Sequence, residues 1–336
     1  MIKKLLAICL TLMIMLGTNV VWAKDYTITF HAGAVGGLYM EPSVAWADQL
    51  MAAIPGLKIS SIVGGAATNP IIVAKGNPNE VLGMTDPVTG MDAANGIGEY
   101  AKRLPGGTKA LRALWRFNVT SWEHILARPE VVPEGVTTLG QLLEKKPNLR
   151  VLIKPRGTGD EILVQRLFES YGYSYDDLKA KGMSITFNNP SDMSTLMIDG
   201  HADVAISTAR TPAAYILDME SSITGMKWLA VDKPNAEKLR DKYGYIMGLQ
   251  PAGSYASLKH DNLSVAIDHI VIVNENMDDE LAYQITKVVL SNPDKVRAAV
   301  PAMKTFDVKV AGKATALPLH KGAIRAYEEL GLPYDK

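Results

Sequence analysis

Short β-type runs alternate with helical stretches over most of this chain, and that alternation restricts the fold more than any other feature. Tyr26–Phe30, Leu57–Val63, Val81–Met84, Ile125–Arg128, Val151–Lys154, Met183–Phe187, Val204–Ser207 and Trp228–Val231 read as strands. Between them lie helical patterns at Pro42–Ala53, Ala66–Lys75, Asp160–Tyr171, Ser191–Asp199 and Pro212–Met219. Strands alternating with helices at this spacing predict an α/β architecture with largely parallel sheets.

The pattern breaks near Arg128–Gly135, where two prolines and a glycine interrupt it. A second α/β unit begins there. A long apolar run, Val265–Val273, follows the Pro- and Gly-containing stretch Gly248–Tyr255, and the remainder is helical at Asp278–Leu290 and Lys321–Leu330. Too few strands remain for a third domain, and 336 residues suit two domains of roughly 100–200 residues each. The economical layout has lobe one formed by 24–128 and 264–336, and lobe two by 129–263. Two crossings make a two-strand hinge with a cleft between the lobes, a layout suited to closure around a ligand.

The first residues carry an address. Lys3 and Lys4 precede an apolar stretch from Leu5 to Leu16, and Val21-Trp22-Ala23 offers a cleavage site, the pattern of a secretory signal peptide over residues 1–23. The apolar stretch is short for a bilayer span, and no later segment offers some 18 uninterrupted apolar residues. Lys plus Arg and Asp plus Glu both total 35, with no concentrated basic face of the kind nucleic acid needs. The single Cys9 lies inside the leader and precedes most of its apolar stretch, so neither a disulfide nor a lipid-modified cysteine is expected. The expected destination is the periplasm.

Four loops share one design: a strand, then small or Gly-rich residues, then a helix start. They are Gly33–Tyr39, Val63–Pro70, Arg156–Asp160 and Ser207–Pro212, two from each lobe. Helix N-termini expose unpaired N–H groups and partial positive charge, so they attract carboxylate or phosphate. Glycine lets a ligand approach the backbone, and ligands of open α/β sheets bind beyond the carboxyl ends of the strands. Such turns also occur simply because a chain must turn sharply. Gly33-x-x-Gly36-Gly37 is not the dinucleotide fingerprint, Gly157-x-Gly159 lacks its third glycine, and no phosphate loop is present. There is no nucleophile elbow and no zinc-protease helix. The six histidines do not fall at metal-ligand spacings. His31 follows the first strand and could touch a ligand, whereas His124 reads as a hydrogen-bonded structural residue. No cofactor, no catalytic constellation and no metal site are expected.

In order and spacing these loops resemble the TAXI family, the extracytoplasmic solute receptors of tripartite ATP-independent periplasmic (TRAP) transporters. The motifs are Gly33-Ala-Val-Gly-Gly-Leu-Tyr39, Gly64-Gly65-Ala-Ala-Thr-Asn69, Thr85-Asp86, Glu123-His124-Ile-Leu-Ala-Arg128, Gly157-Thr-Gly159, Asp199-Gly-His-Ala-Asp203 and Pro251-Ala-Gly-Ser-Tyr255. The resemblance implies a type II periplasmic-binding-protein fold that closes over a glutamate-like acid, 2-oxo acid or dicarboxylate and delivers it to a membrane permease. By motif, Gly36, Gly37, Leu38 and Tyr39, then Thr68 and Asn69, then Gly157, Thr158 and Gly159 are implied to contact ligand. Gly65, Arg156, Asp160, Thr208 and Arg210 complete the candidate set from the loops themselves. The family usually has Ser or Thr where this chain has Asp160, and a small residue near Arg210. Asp160 could repel a second ligand carboxylate, hold a ligand amine, or cap its own helix. Arg156 and Arg210 could grip a carboxylate bidentately or sit at the rim. The expected protein is a monomeric receptor, not an enzyme. The alternative is the receptor of an ATP-driven importer or of a sensor kinase, with a periplasmic enzyme using His31 or Asp160 as base behind both.

Overall fold

The computed structural model describes residues 25–34 and 37–336, so the leader read over 1–23 and the candidate contact Gly36 lie outside the described residues. The first elements are β1 (Tyr26–His31), α1 (Met40–Ala53), β2 (Leu57–Ile62), α2 (Asn69–Lys75), β3 (Val81–Thr85), α3 (Pro87–Asn95) and α4 (Tyr100–Arg103). Then come β4 (Leu111–Ala127), α5 (Leu139–Lys145), β5 (Arg150–Ile153), α6 (Gly159–Ser170), α7 (Tyr175–Ala180), β6 (Ser184–Phe187) and α8 (Pro190–Ile198). The chain continues with β7 (Val204–Ala209), α9 (Ala214–Ser222), β8 (Lys227–Trp228), α10 (Lys233–Tyr243) and β9 (Ile246–Gln250). It closes with β10 (Asn262–Asn274), α11 (Asp279–Ser291), α12 (Pro293–Ala299) and α13 (Lys321–Leu330). Among the described residues no helix is long and apolar enough to cross a membrane.

One sheet threads the molecule in the order β2-β1-β3-β10-β4-β7-β5-β6, with β8 on β4 and β9 on β10. β1 pairs in parallel with β2 and β3, and β5 with β6 and β7. The two long central strands do otherwise. β10 is antiparallel to β3, β4 and β9, and β4 is antiparallel to β7 and β8. The expectation of largely parallel sheets therefore holds for the strands that feed helices and fails for the central pair. Parallel pairing follows from βαβ crossovers, and β4 and β10 enter the sheet without one.

Packing follows the same division. One core gathers apolar side chains from residues 28–119 and 270–327. At its centre Trp46 meets Trp115 and Phe117 edge-on, with ring centroids 5.2 and 5.3 Å apart. Two further cores lie on the two faces of the other half-sheet, built almost wholly from residues 125–267. β10 is buried nearly throughout. A strand covered on both faces reads as a near-continuous apolar run, and Val265–Val273 is one apart from Asp268 and His269. Where β4 and β10 pass from one core to the other their register shifts between Ile267 and His269. There Thr120 Oγ1 donates to Asp268 Oδ1 at 2.9 Å, and Arg116 pairs with the other oxygen of Asp268.

The helices that start at the sheet's carboxyl edge are locally specified. α6 buries Leu163, Val164, Leu167 and Phe168, one stripe at helical spacing. Thr158 caps it by accepting from Glu161 N–H at 3.2 Å, and acids fill its first turn. Asp86 caps α3 by accepting from Thr89 N–H at 2.8 Å, and Gly96 ends that helix at φ +65°.

Candidate functional site

Asn69 organises the first-lobe loops. Its Nδ2 donates to the carbonyls of His31, Ala32 and Met84 at 2.9, 2.8 and 2.7 Å, and its Oδ1 accepts from Gly65 N–H at 3.1 Å. One buried amide thus ties the ends of β1 and β3 to the loop after β2. Thr68 turns its hydroxyl back onto the Gly65 carbonyl at 3.1 Å. Both side chains are committed to shaping the loop, and neither lines the cleft.

In the second lobe the stretch from Lys154 to Asp160 runs from β5 into α6. Lys154 Nζ donates to the Thr208 carbonyl and lies 3.3 Å from Asp160 Oδ2. That same oxygen accepts from the Thr208 N–H and from its hydroxyl, the latter at 2.5 Å. Asp160 therefore anchors the β7 end to the α6 start; Thr158 supplies the cap. Arg156 points elsewhere: its guanidinium stacks over Phe187, 4.3 Å from the ring centroid, and lies 3.6 Å from Glu161. Gly157, at φ +81°, turns its carbonyl to the first lobe, where Ala67 N–H donates to it at 3.2 Å.

Between the lobes lies a cleft of about 430 Å³. Its wall takes in Gly37, Leu38 and Tyr39 before α1, Gly65 and Ala66 after β2, and Thr158, Gly159 and Asp160 at the start of α6. Pro190 and Ser191 bring in the start of α8, and Thr208 to Arg210 with Ala213 to Tyr215 bring in the start of α9. Four helix beginnings from two lobes thus converge on one space. Of the candidates read from sequence, Gly37, Leu38, Tyr39, Gly65, Thr158, Gly159, Asp160, Thr208 and Arg210 line it, while Thr68, Asn69, Arg156 and Gly157 stand outside. His31 is not part of the wall. Ser121, Lys154, Tyr215 and His269 are, and sequence reasoning passed over all four. Ser121 and His269 sit inside β4 and β10, where apolar neighbours mask them and only the antiparallel pairing brings them together.

The side chains do not make this wall a cationic basin. Lys154 and Arg210 face Asp160, Glu41 and Asp218, so attraction for an anion has to come chiefly from backbone N–H groups. Behind the wall, Glu123 is fully buried and neither of its oxygens has a hydrogen-bond partner among the described residues. Burial and the neighbouring Asp160 push its carboxyl well above the usual range, with Lys154 opposing. Protonation there avoids the cost of burying a charge. His124 is buried with Nε2 2.9 Å from Gln250 Nε2, the structural role its position suggests.

The lobes also touch away from the cleft. Asp92 of α3 forms a buried ion pair with Arg166 of α6, whose Nη1 donates to Tyr245 Oη at 3.1 Å. An added Cβ on Gly65 would stand 2.5 Å from the Gly157 carbonyl oxygen, and one on Gly159 would stand 2.2 Å from Asp86 Oδ2. These glycines permit the close approach of the lobes.

The model of the NMT1-like family matches residues 30–331. Among solved structures, MatC from Rhodopseudomonas palustris with bound malate has a similar fold, with TM-score 0.53 at 12% identity over 91% of this chain and 96% of that chain. The periplasmic binding protein BugD gives 0.54 at 11% identity over 94% and 100%. PhnD1 from Prochlorococcus marinus in complex with methylphosphonate gives 0.55 at 7% over 92% and 99%. At these identities the likeness concerns the fold, and with the sheet order it makes this a two-lobed periplasmic-binding-protein fold of type II, its lobes joined by β4 and β10.

Proposed function

This chain belongs to the NMT1-like family, and on that premise we propose that it is a periplasmic solute receptor which captures a small organic acid and hands it to the membrane permease of a TAXI-type TRAP transporter. The observation that carries the reading is the convergence of four helix starts, from both lobes, on a cleft of about 430 Å³. That volume suits a metabolite of small-acid size. The anionic ligands of two neighbours, malate in MatC and methylphosphonate in PhnD1, support an acid as guest. Micromolar affinity requires about −8 kcal/mol, which several hydrogen bonds to charge at roughly 1.5–3 kcal/mol each supply after ordering costs.

The lobes of this proposal follow the sequence reading, 24–128 with 264–336 and 129–263, with the crossings moved to near Ser121 and Asp268 because 125–127 and 265–267 pack in the second lobe's cores. The candidate contacts are those lining the cleft, Gly36 being retained by motif. The leader at 1–23 directs the chain to the periplasm, where it works as a monomer. A hydrolytic reading of the Ser121–His269 pair is disfavoured on chemical grounds. Burial holds His269 down to about 3, far from the range in which an imidazole takes a proton from a hydroxyl at neutral pH.

Isothermal titration of the leaderless protein with succinate, L-malate, L-glutamate, 2-oxoglutarate and methylphosphonate tests the reading. One carboxylate class is expected to bind with Kd of roughly 1 μM, and to be recovered unchanged. Absence of heat from every acid, or consumption of a bound acid, refutes it.

A further inference from the structure

Three side chains on the cleft wall form a linear hydrogen-bonded chain. Tyr39 Oη lies 2.9 Å from His269 Nδ1, and Ser121 Oγ lies 2.9 Å from His269 Nε2. Each comes from a different element: the turn into α1, β4 and β10. All three line the cleft, and among the described residues neither hydroxyl has a further hydrogen-bond partner. Phe117 stacks on the imidazole at 5.3 Å and 28°, which holds the ring plane. Burial keeps His269 neutral and Tyr39 a phenol at any ordinary pH.

Counting hydrogens fixes what such a chain offers. A neutral imidazole carries one N–H, and each hydroxyl carries one O–H. The two internal hydrogen bonds use two of the three. If Nδ1 carries the hydrogen, it donates to Tyr39, Ser121 donates to Nε2, and the Tyr39 O–H is left for the cleft. If Nε2 carries it, Tyr39 donates inward and the Ser121 O–H is left instead. In both tautomers one end can donate to a guest while the other presents only lone pairs.

We propose that the Ser121–His269–Tyr39 chain selects a guest carrying both an acceptor and a donor, a 2-hydroxy or 2-amino carboxylic acid, over the matched acid that lacks the donor. This deepens the acid-receptor reading and rests on it. A purely accepting dicarboxylate or 2-oxo acid spanning both ends sets its oxygen lone pairs against those of one hydroxyl, and a buried polar group left unpaired is what makes such discrimination large. The wall points the same way, since the carboxyl groups of Asp160, Glu41 and Asp218 beside Lys154 and Arg210 suit a guest that carries a donor beside its carboxylate better than one that only accepts.

Matched pairs decide it: L-malate and D-malate against succinate, and L-glutamate against 2-oxoglutarate, titrated into wild type, Ser121→Ala and Tyr39→Phe. In wild type the donor-bearing member of at least one pair is expected to bind tenfold or more tightly. In both variants that ratio falls to within about threefold of unity. Side-chain ¹⁵N shifts of His269 are expected to show a single neutral tautomer in the complex. Equal affinity within every wild-type pair, or a ratio that persists in both variants, overturns the selection while leaving the receptor reading standing. If neither these five acids nor methylphosphonate binds, the receptor reading fails and the selection fails with it.

Discussion

Gly65→Ala will weaken binding of the preferred acid by about a hundredfold. The added methyl meets nothing inside its own lobe closer than Thr68 Oγ1 at 3.3 Å, and Gly65 has no positive φ for alanine to strain. Its obstacle lies across the divide, where the Gly157 carbonyl oxygen would be 2.5 Å away. Backbone cannot swing aside as a side chain can. The lobes must stay apart, so the cost falls on closure rather than on either core. A ligand that contacts both lobes binds only the closed form, and its affinity falls with the population of that form. Gly159→Ala presses on Asp86 Oδ2 in the same way, and its effect is expected to be smaller because a carboxyl group can give. Calorimetric titration beside thermal melting checks both. A Gly65→Ala protein that binds as wild type does would show that closure does not bring these loops together.

The second large effect concerns stability. Arg166→Ala leaves Asp92 buried with its cation gone, and removing one partner of such a pair costs about 3–5 kcal/mol, or on the order of 10 °C in Tm. Asp92→Asn is expected to cost less. Its arginine keeps the Tyr245 hydroxyl at 3.1 Å and lies 4.1 Å from the Tyr243 ring centroid. The pH dependence has a definite sign. Burial already raises the Asp92 carboxyl and Arg166 opposes that shift, so without the arginine it rises further. A carboxyl raised in the folded state favours folding at low pH and loses that contribution as pH climbs through its folded value. The Arg166→Ala deficit should therefore shrink on acidification toward pH 4 and grow toward pH 8. Melting curves of the two single variants across that range measure it, and equal deficits at all pH values would contradict the assignment.

Much of this architecture was legible before any coordinates. β1, β2 and β3 end in small residues that lead to helices, and the cap of α6 is missed by only two residues: Asp160 is the candidate from sequence and Thr158 accepts the bond. What escaped the reading escaped for physical reasons. α10, Lys233–Tyr243, is so polar that it shows almost no apolar stripe, and it buries only Asn235, Ala236 and Leu239. β9 contains Gly248, whose place would be filled by the Trp122 ring, so its glycine looked like a turn rather than a strand under an aromatic cover. β4 was seen only at its far end, because its first half mixes Arg112, Arg116 and Asn118 into the apolar alternation.

The site divides in the same manner. Loop glycines and helix starts follow from local sequence rules, so Gly37, Gly65, Thr158 and Gly159 could be named. Ser121 and His269 are separated by 148 positions and meet only through β4–β10 pairing; no local rule reaches them. Asn69 illustrates the converse error of role. It is polar and lies beside the right loop, but its amide is consumed in tying three backbone segments together.

Backbone N–H groups are what the whole account asks to do the binding, and amide resonances report them one at a time. In ¹H–¹⁵N correlation spectra of the leaderless protein, addition of the tightest-binding acid is expected to move the amides of Leu38, Gly159, Asp160 and Ala214 most, from both sides of the hinge. Unmoved resonances at those four positions, with shifts gathered instead on the outer groove between α6 and α10 around Glu169 and Glu237, would contradict it.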